Sequence, residues 1–202
     1  SGGEVTVYKL TGAELKTWLE WCAGYYNQIQ PGDLTISYDP VRRTGGISEA
    51  DTANGVTYWI DLTKPVGSRI QDLCLITEYD DAGLPVLDSD GNPKTVPVTD
   101  DMEILFGCNS YDMDKLLAEG GMLEGHDPEV VFNTVSEWGD DGTVRALTIR
   151  YIQEVLKGTV DGDIFNYENW YIYTGIDETS PAYQKAVELI NNGTITLPAL
   201  EN

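Results

Sequence analysis

Apolar and polar residues alternate along the segment from Gly55 to Ile70, and this alternation predicts a strand followed by a tight turn. A period of two with β-branched and aromatic residues is typical of a half-buried strand. The residues of the apolar face are Val56, Tyr58, Ile60 and Leu62. Pro65 lacks an amide donor and Gly67 tolerates positive φ, so the turn is expected there and a second strand begins at Arg69.

A different pattern, with apolar residues at steps of three and four, predicts an amphipathic helix nearer the N-terminus. Its apolar positions are Leu15, Trp18, Leu19, Cys22, Tyr26 and Ile29, and we expect these large side chains to be core. Thr11 and Glu14 have the spacing of a capping box, so the helix begins after Thr11 and follows a strand over Val5–Leu10.

The same reasoning predicts the other elements. Strands are expected at 34–38, 73–79, 102–107 and 170–173, and a loop at 39–54. A helix is expected over 143–157, with core-facing positions Val144, Leu147, Ile149, Ile152, Val155 and Leu156. A last helix is capped by Ser180, has Pro181 at its first position and ends at Asn191–Gly193. Strands and helices mix without strict alternation, which predicts an α+β fold: a mixed β-sheet flanked by helices.

The length of 202 residues fits one domain with a sizeable core. Residues 1–3 are typical of a cloning scar or linker, and 4–202 are expected to form a single domain. Within it, 112–142 is glycine-rich and predicts an irregular insertion. No apolar run approaches the roughly 20 residues of a membrane span, and no signal peptide is recognisable. The chain enters its first strand with no lead-in, which predicts a fragment of a larger protein.

The formal charge of −22 excludes binding to a nucleic-acid polymer, which needs clustered cations. A solvated acidic surface explains the charge. The three cysteines, Cys22, Cys74 and Cys108, show no CxxC spacing. Buried free thiols are expected at Cys22 and Cys74, with one disulfide left open.

Catalytic signatures are missing from the sequence. There is no GxSxG, no P-loop and no GxGxxG motif. Two-metal hydrolysis needs several convergent ligands, whereas His126 is the single histidine. An exposed loop position is expected for His126, with a domain interface as the alternative. Paired acids such as Asp80-Asp81 predict solvated loops, with a weak calcium site as the alternative.

Several segments, taken together, resemble the C-terminal domain of the 5'-nucleotidase superfamily. They are the Gly55–Ile70 strand and turn, the Leu10-Thr-Gly-Ala-Glu-Leu-Lys16 helix start, Asn109-Ser-Tyr111, the Asn169-Trp170 pair and Leu189-Ile-Asn-Asn-Gly193. Within that superfamily, these segments are most similar to those of the secreted bacterial 2',3'-cyclic-nucleotide 2'-phosphodiesterase/3'-nucleotidases. In that family, the resemblance implies, this domain binds nucleotide between two aromatic rings, and a separate N-terminal domain holds a pair of divalent metal ions.

The chain departs from the family at both rings. One ring belongs just before Gly55, where this chain has Ile47-Ser-Glu-Ala-Asp-Thr-Ala53. The other follows an Asn-Asn-Tyr-Arg, which here is Asn109-Ser-Tyr111-Asp112 without the arginine; Phe132 or Trp138 are the candidate replacements. Because stacking contributes about 1–3 kcal/mol per base, losing both rings weakens affinity about tenfold to several hundredfold.

The predicted substrate-binding residues are Arg42, Arg43, Tyr38, Asn109 and Tyr111. The paired arginines lie beside Gly45-Gly46, where guanidinium forks and backbone donors suit a phosphate or ribose. The alternatives are exposed arginines that offset nearby acids, and structural roles for the other three. For Trp170, core packing is expected.

The resemblance thus implies a nucleotide- or nucleoside-recognition domain of a two-domain, metal-dependent nucleotidase or cyclic-nucleotide phosphodiesterase, without chemistry of its own. It implies no cofactor in this fragment, a divalent metal pair in an N-terminal metallophosphoesterase partner domain, and an extracellular, cell-surface or periplasmic location. The rival hypothesis is a diverged cell-surface interaction module that kept the fold and lost the nucleotide pocket.

Overall fold

The computed structural model describes residues 3–38, 51–160, 162 and 167–196. Its strands are β1 (Thr6–Thr11), β2 (Val56–Asp61), β3 (Ile70–Ile76), β4 (Thr95–Pro97), β5 (Glu103–Cys108), β6 (Glu129–Asn133) and β7 (Trp170–Tyr173). Its α-helices are α1 (Gly12–Ala23), α2 (Ser110–Leu117), α3 (Thr134–Trp138), α4 (Val144–Arg150) and α5 (Pro181–Asn191).

The described strands form two sheets. One is antiparallel, with strand order β5-β1-β6, and the other has the order β4-β3-β2-β7. In the second sheet β7 runs parallel to β2, while the other neighbours are antiparallel. The predicted α+β class is confirmed. The sequence suggested a single mixed sheet, whereas the structure has a mixed sheet and a second, antiparallel sheet.

The first strand and helix form as predicted. The amide of Thr11 donates to Glu14 Oε2 at 2.7 Å, and the amide of Glu14 donates to Thr11 Oγ1 at 3.2 Å, which completes the capping box. Helix α1 ends at Ala23, so only part of the apolar stripe is helical. Its members Leu15, Trp18, Leu19 and Cys22 are buried in the core, and Tyr26 and Ile29 pack against that core from the following loop.

The alternating segment forms β2, and its predicted inner face is the centre of the core. Val56, Tyr58, Ile60 and Leu62 are at most 5% exposed. Gly67 has φ of +93°, as the turn requires, and β3 follows at once. The periodicity therefore predicts both the element and the direction of its side chains.

Two buried charged residues fasten this turn to helix α1. The Glu20 carboxylate accepts hydrogen bonds from the amides of Gly67 and Ile70, both at 2.7 Å. Arg69 is 2% exposed and donates from Nη1 to the carbonyl oxygens of Ala23 and Tyr26, at 2.7 and 2.9 Å, where α1 ends. The turn and the helix end thus satisfy each other's backbone groups.

The predicted strand at 34–38 is wrong. Tyr38 forms one isolated antiparallel bridge with Tyr26, and the amide of Asn27 donates to the Ser37 carbonyl at 2.8 Å. The segment lies beside the irregular chain that follows α1, and within the described residues it pairs through this one bridge and not through a ladder. The predicted loop at 39–54 lies outside the described residues as far as position 50.

The predicted helix at 143–157 forms in two parts, and its core-facing stripe is wrong. Helix α4 ends at Arg150 and a π-helical turn continues over Tyr151–Val155. Neither part buries a residue; Val144 and Ile149 are 42% and 49% exposed. Periodicity identifies the apolar side of a helix, but no described element covers that side here.

The remaining C-terminal elements agree with the sequence. Strand β7 occupies 170–173, and Ser180 caps α5 with Pro181 at its first position. Trp170 packs against the core, as expected. The predicted irregular insertion at 112–142 also contains strand β6, which pairs with β1 and which the sequence pattern does not predict. All three cysteines are free; Cys22 is buried as expected, whereas the burial expected for Cys74 is wrong, because Cys74 is half-buried.

Candidate functional site

A cavity of about 420 Å³ lies between the segment that precedes β2 and the junction of β5 with α2. Residues 51–54 form one wall and residues 105–109 with Asp112 form the other, while Trp18 contributes from α1. Ligand pockets usually have this order of volume and combine apolar walls with a few polar groups. Two segments that are distant in the sequence therefore meet at one site.

Buried polar contacts fix the first wall. The amide of Ala53 donates to the Tyr58 hydroxyl at 3.3 Å, and Asn169 Nδ2 donates to the carbonyl oxygens of Ala53 and Val56 at 2.7 and 3.0 Å. Burial raises the pKa of Tyr58 to about 12, so the phenol keeps its proton. These contacts connect residues 51–54 to β2 and to the start of β7.

The second wall is built on the cap of α2. Asn109 Oδ1 accepts from the amide of Asp112 at 3.0 Å, and Asn109 Nδ2 donates to Asp112 Oδ2 at 3.0 Å. Asp112 is 2% exposed and also accepts from Lys115 Nζ at 3.3 Å. Asn109 thus lines the cavity while it holds a buried carboxylate at its edge.

Aromatic and thiol groups complete this second wall. The rings of Trp18 and Phe106 pack edge to face with centroids 4.8 Å apart. Trp18 is buried, whereas Phe106 is half-buried and presents the more accessible ring. Burial, together with the charges of Asp112 and Asp51, raises the pKa of Cys108 to about 12, so its thiol is neutral at the cavity wall.

The electrostatics of the cavity are acidic. Asp51 and Asp112 contribute carboxylates, and no lysine or arginine is among the lining residues in the described part of the chain. Lys115 pairs with Asp112 from outside, and its ammonium lies 4.1 Å from the centre of the Tyr111 ring. Carboxylate oxygens in this lining can accept hydrogen bonds from hydroxyl or amino groups of a ligand.

Of the three predicted substrate-binding residues that the structure describes, Asn109 is the one that lines the cavity. Tyr111 is 68% exposed beside Lys115, and Tyr38 stacks on Tyr25 with ring centroids 5.3 Å apart. Neither tyrosine lines the cavity. Arg42 and Arg43 lie outside the described residues.

Phe132 and Trp138, the candidate replacement rings, pack against each other with centroids 5.1 Å apart and do not line this cavity. Phe106 and Trp18 line it and were not identified as site residues. The signal for Phe106 was present, since it lies three positions before the predicted Asn109. Trp18 belonged to the helical stripe and gave no such signal.

His126 lies on the surface. Its Nδ1 is 2.7 Å from Glu14 Oε1, next to the capping box. Burial opposes ionisation of Glu14, but hydrogen bonds from Thr11 and His126 outweigh it and lower the pKa of that carboxyl.

The donor side chains of the described residues are not grouped as a metal pair would need. Within 3–38, 51–160, 162 and 167–196, no group of three or more His, Cys, Asp or Glu side chains is placed to hold a metal ion. The single histidine is engaged with Glu14. No helix in the same residues is long and apolar enough to cross a bilayer.

The comparison with known families agrees with the resemblance read from the sequence. Residues 1–91 match the family model described as "5'-nucleotidase, C-terminal domain". A curated relative, the trifunctional nucleotide phosphoesterase protein YfkN of Bacillus subtilis (strain 168), is 33% identical over 110 residues. That alignment covers 53% of this chain and 7% of the relative, so the chain spans a small part of its length.

Solved structures give more distant likenesses. A putative 5'-nucleotidase from Staphylococcus aureus is 16% identical, with 84% of this chain and 27% of that chain covered and a TM-score of 0.47. A 5'-nucleotidase precursor from Thermus thermophilus is 15% identical, with 85% and 25% covered and a TM-score of 0.48. The similarity in sequence over the first 91 positions is therefore the stronger finding.

Proposed function

Because residues 1–91 match the 5'-nucleotidase C-terminal domain family, we propose that this chain is the nucleotide- or nucleoside-recognition part of a two-domain phosphoesterase. The parent activity would be that of a metal-dependent nucleotidase or cyclic-nucleotide phosphodiesterase. The metal pair would belong to an N-terminal metallophosphoesterase domain, since the described residues do not suit one. An extracellular, cell-surface or periplasmic location is part of this proposal.

One observation carries the proposal: a single cavity joins the two segments where the resemblance expects the nucleotide contacts. Residues 51–54 immediately precede β2, and Asn109 follows β5. They are distant in sequence, so their meeting is a property of the fold. A binding site on a rigid scaffold with loop-borne contacts is the common arrangement for ligand recognition.

The chemistry of the cavity favours the nucleoside half of the ligand. Phe106 offers a ring face for a base, and the amides of Asn54 and Asn109 with the carboxylate of Asp51 can pair with base or ribose groups. Arg42 and Arg43, which lie outside the described residues, and the partner domain are the proposed contacts of the phosphate.

The rival proposal, a diverged interaction module without a nucleotide pocket, has one observation in its favour. Trp18 is only 3% exposed, so Phe106 has no second accessible ring opposite it in the described lining. A one-sided stack predicts weaker base binding than a two-sided stack. Measured affinity therefore separates the two proposals.

The test is a titration of the chain with adenosine, AMP and cytidine, followed by amide and indole chemical shifts in NMR. We expect binding in the millimolar range or tighter, with shifts at residues 51–54 and 106–112. Phe106→Leu should weaken binding about tenfold or more, because the flat face is lost while apolar volume is kept. Phe132→Leu is the matched control, since Phe132 lies outside the cavity lining.

Absence of any shift in the cavity at about 10 mM ligand would favour the interaction module. Equal weakening by Phe106→Leu and Phe132→Leu would show that the substitutions act through stability. Thermal unfolding of both variants distinguishes that outcome from a loss of contact.

A further inference from the structure

The outer face of the four-stranded sheet carries a second concave site, a trough of about 290 Å³. It lies on the side of β2 that faces away from the core, because Thr57 and Trp59 alternate with the buried Val56, Tyr58 and Ile60. It shares no lining residue with the cavity beside Asn109.

Two parallel aromatic rings define the trough. Trp59 on β2 and Tyr171 on β7 are direct partners in the parallel ladder. Their rings lie within 2° of parallel with centroids 5.9 Å apart, and Tyr171 is 56% exposed. An aromatic side chain with this degree of exposure on a sheet leaves one face of its ring available to a ligand.

A backbone irregularity places a carboxylate against the indole. Trp59 Nε1 donates to Asp72 Oδ2 at 2.7 Å. Asp72 has φ of +50°, a rare conformation for a residue with a Cβ, and it lies where the pairing of β2 with β3 shifts register. Bulges of this kind redirect a side chain and concentrate near functional sites.

The remaining polar lining combines acceptors with donors. Glu168 adds a second carboxylate, Asn92 an amide, and Thr57 and Thr95 hydroxyl groups. No lysine or arginine lines the trough in the part of the chain that the structure describes. An anionic ligand would meet two carboxylates without a compensating cation, so phosphates and nucleotides are disfavoured there.

We propose that this trough binds a pyranose unit of a neutral oligosaccharide. Such a sugar has a face of C–H groups with slightly positive hydrogens, which suits the negative face of an aromatic ring. Its hydroxyl groups both donate and accept, and the carboxylates, amide and hydroxyls of the trough supply the partners. Because the two rings stack on each other, the sugar would lie on the face of Tyr171 that is turned away from Trp59, with Asp72, Glu168 and Asn92 around the rim of the trough.

The experiment follows the five tryptophan indole N–H signals of the 202-residue chain by NMR. The Trp59 signal is assigned from its disappearance in Trp59→Phe. Four neutral probes are added separately at about 10 mM: cellotetraose, maltotetraose, mannotetraose and N-acetylated chitotetraose. AMP and spermidine serve as the anionic and cationic counter-probes.

We expect at least one tetrasaccharide to shift the Trp59 signal and to saturate at millimolar concentration or below. Tyr171→Ala should weaken that binding about tenfold or more. Tyr79→Ala, another exposed tyrosine that lies outside the trough, should bind as the unmodified chain does. The other indole signals report whether Tyr171→Ala keeps its fold.

Three results overturn the proposal. None of the four sugars shifts the Trp59 signal, or AMP or spermidine shifts it and the sugars do not, or sugar binding is unchanged in Tyr171→Ala. The measurement on the unmodified chain stands by itself if Tyr171→Ala fails to fold.

Discussion

Replacing Arg69 by methionine tests the attachment of the turn to helix α1. The guanidinium group donates to three carbonyl oxygens, those of Lys64, Ala23 and Tyr26, at 2.9, 2.7 and 2.9 Å. Arg69 is 2% exposed, so water cannot replace these bonds without local opening. Methionine keeps the unbranched stem as far as the position of Nε and leaves the three acceptors without this donor.

The magnitude follows from those three acceptors. A buried acceptor that loses its partner costs about 1–3 kcal/mol, which gives about 3–9 kcal/mol for three. Removing the buried charge also removes its desolvation cost, and the apolar thioether suits a buried position. Together these two changes offset several kcal/mol of that loss. We therefore expect Arg69→Met to lower the free energy of unfolding by about 3 kcal/mol. Arg69→Lys should give a smaller loss, because it keeps a cationic donor, although one ammonium cannot span three carbonyls as a fork does.

The assay is urea unfolding followed by far-ultraviolet circular dichroism. With an m-value of about 2 kcal/mol/M, the midpoint should fall by roughly 1.5 M at unchanged slope. Arg150→Met is the matched control: Arg150 is half-exposed and its Nε lies 3.6 Å from Glu154, so a loss below about 0.5 kcal/mol is expected. A loss below about 1 kcal/mol for Arg69→Met would show that the three carbonyl bonds do not hold the turn.

Three further predictions concern the N-terminal helix and the cavity wall. Thr11→Ala should lower the free energy of unfolding by about 1 kcal/mol in urea unfolding. The pKa of Glu14 is lowered in the folded protein, so the stability that its carboxylate contributes is present above the ordinary glutamate pKa and is lost as pH falls through the folded pKa. The difference in stability between Thr11→Ala and the unmodified chain should therefore shrink in acid. Gly12→Ala should destabilise by about 2 kcal/mol or more although alanine favours helices, because its Cβ would lie 2.0 Å from the Thr99 carbonyl oxygen; a stabilised variant would contradict this packing. Cys108, with a pKa raised to about 12, should be alkylated by iodoacetamide at about pH 8 far more slowly in the native protein than in urea. Mass spectrometry of the Cys108 peptide separates it from the other two free cysteines, and equal rates would contradict the raised pKa.

The sequence predicted those elements whose signals are local. The period of two in β2, the proline and glycine of the turn, and the pairing of Thr11 with Glu14 each act within a few residues, and each formed as predicted. The class of fold followed from the mixture of such elements. Asn109 reached the candidate cavity because its place between β5 and α2 was also a local feature.

The features that the sequence did not predict depend on contacts between residues far apart in the chain. Val144 and Ile149 belong to an apolar pattern predicted to face the core, but whether a helix face is covered is decided by elements far away in the chain. The sequence pattern predicts Arg69 only as the start of a strand. It gives no sign of the buried hydrogen bonds, because their acceptors, the carbonyl oxygens of Ala23 and Tyr26, lie 46 and 43 positions earlier. Trp18 was assigned to the core from its period, which gives no information on the cavity beside it.

The topology of the two sheets also has a consequence for synthesis on the ribosome. Strand β1 lies in the middle of its sheet but receives its second neighbour only at Asn133, and β2 waits for β7, which ends at Tyr173. A nascent chain therefore carries two central strands with open edges until most of its length has been translated. Such edges are prone to pair with other chains, and pairing across long separations is slow. We expect this domain to fold late in translation and to depend on chaperones that shield open strands until then.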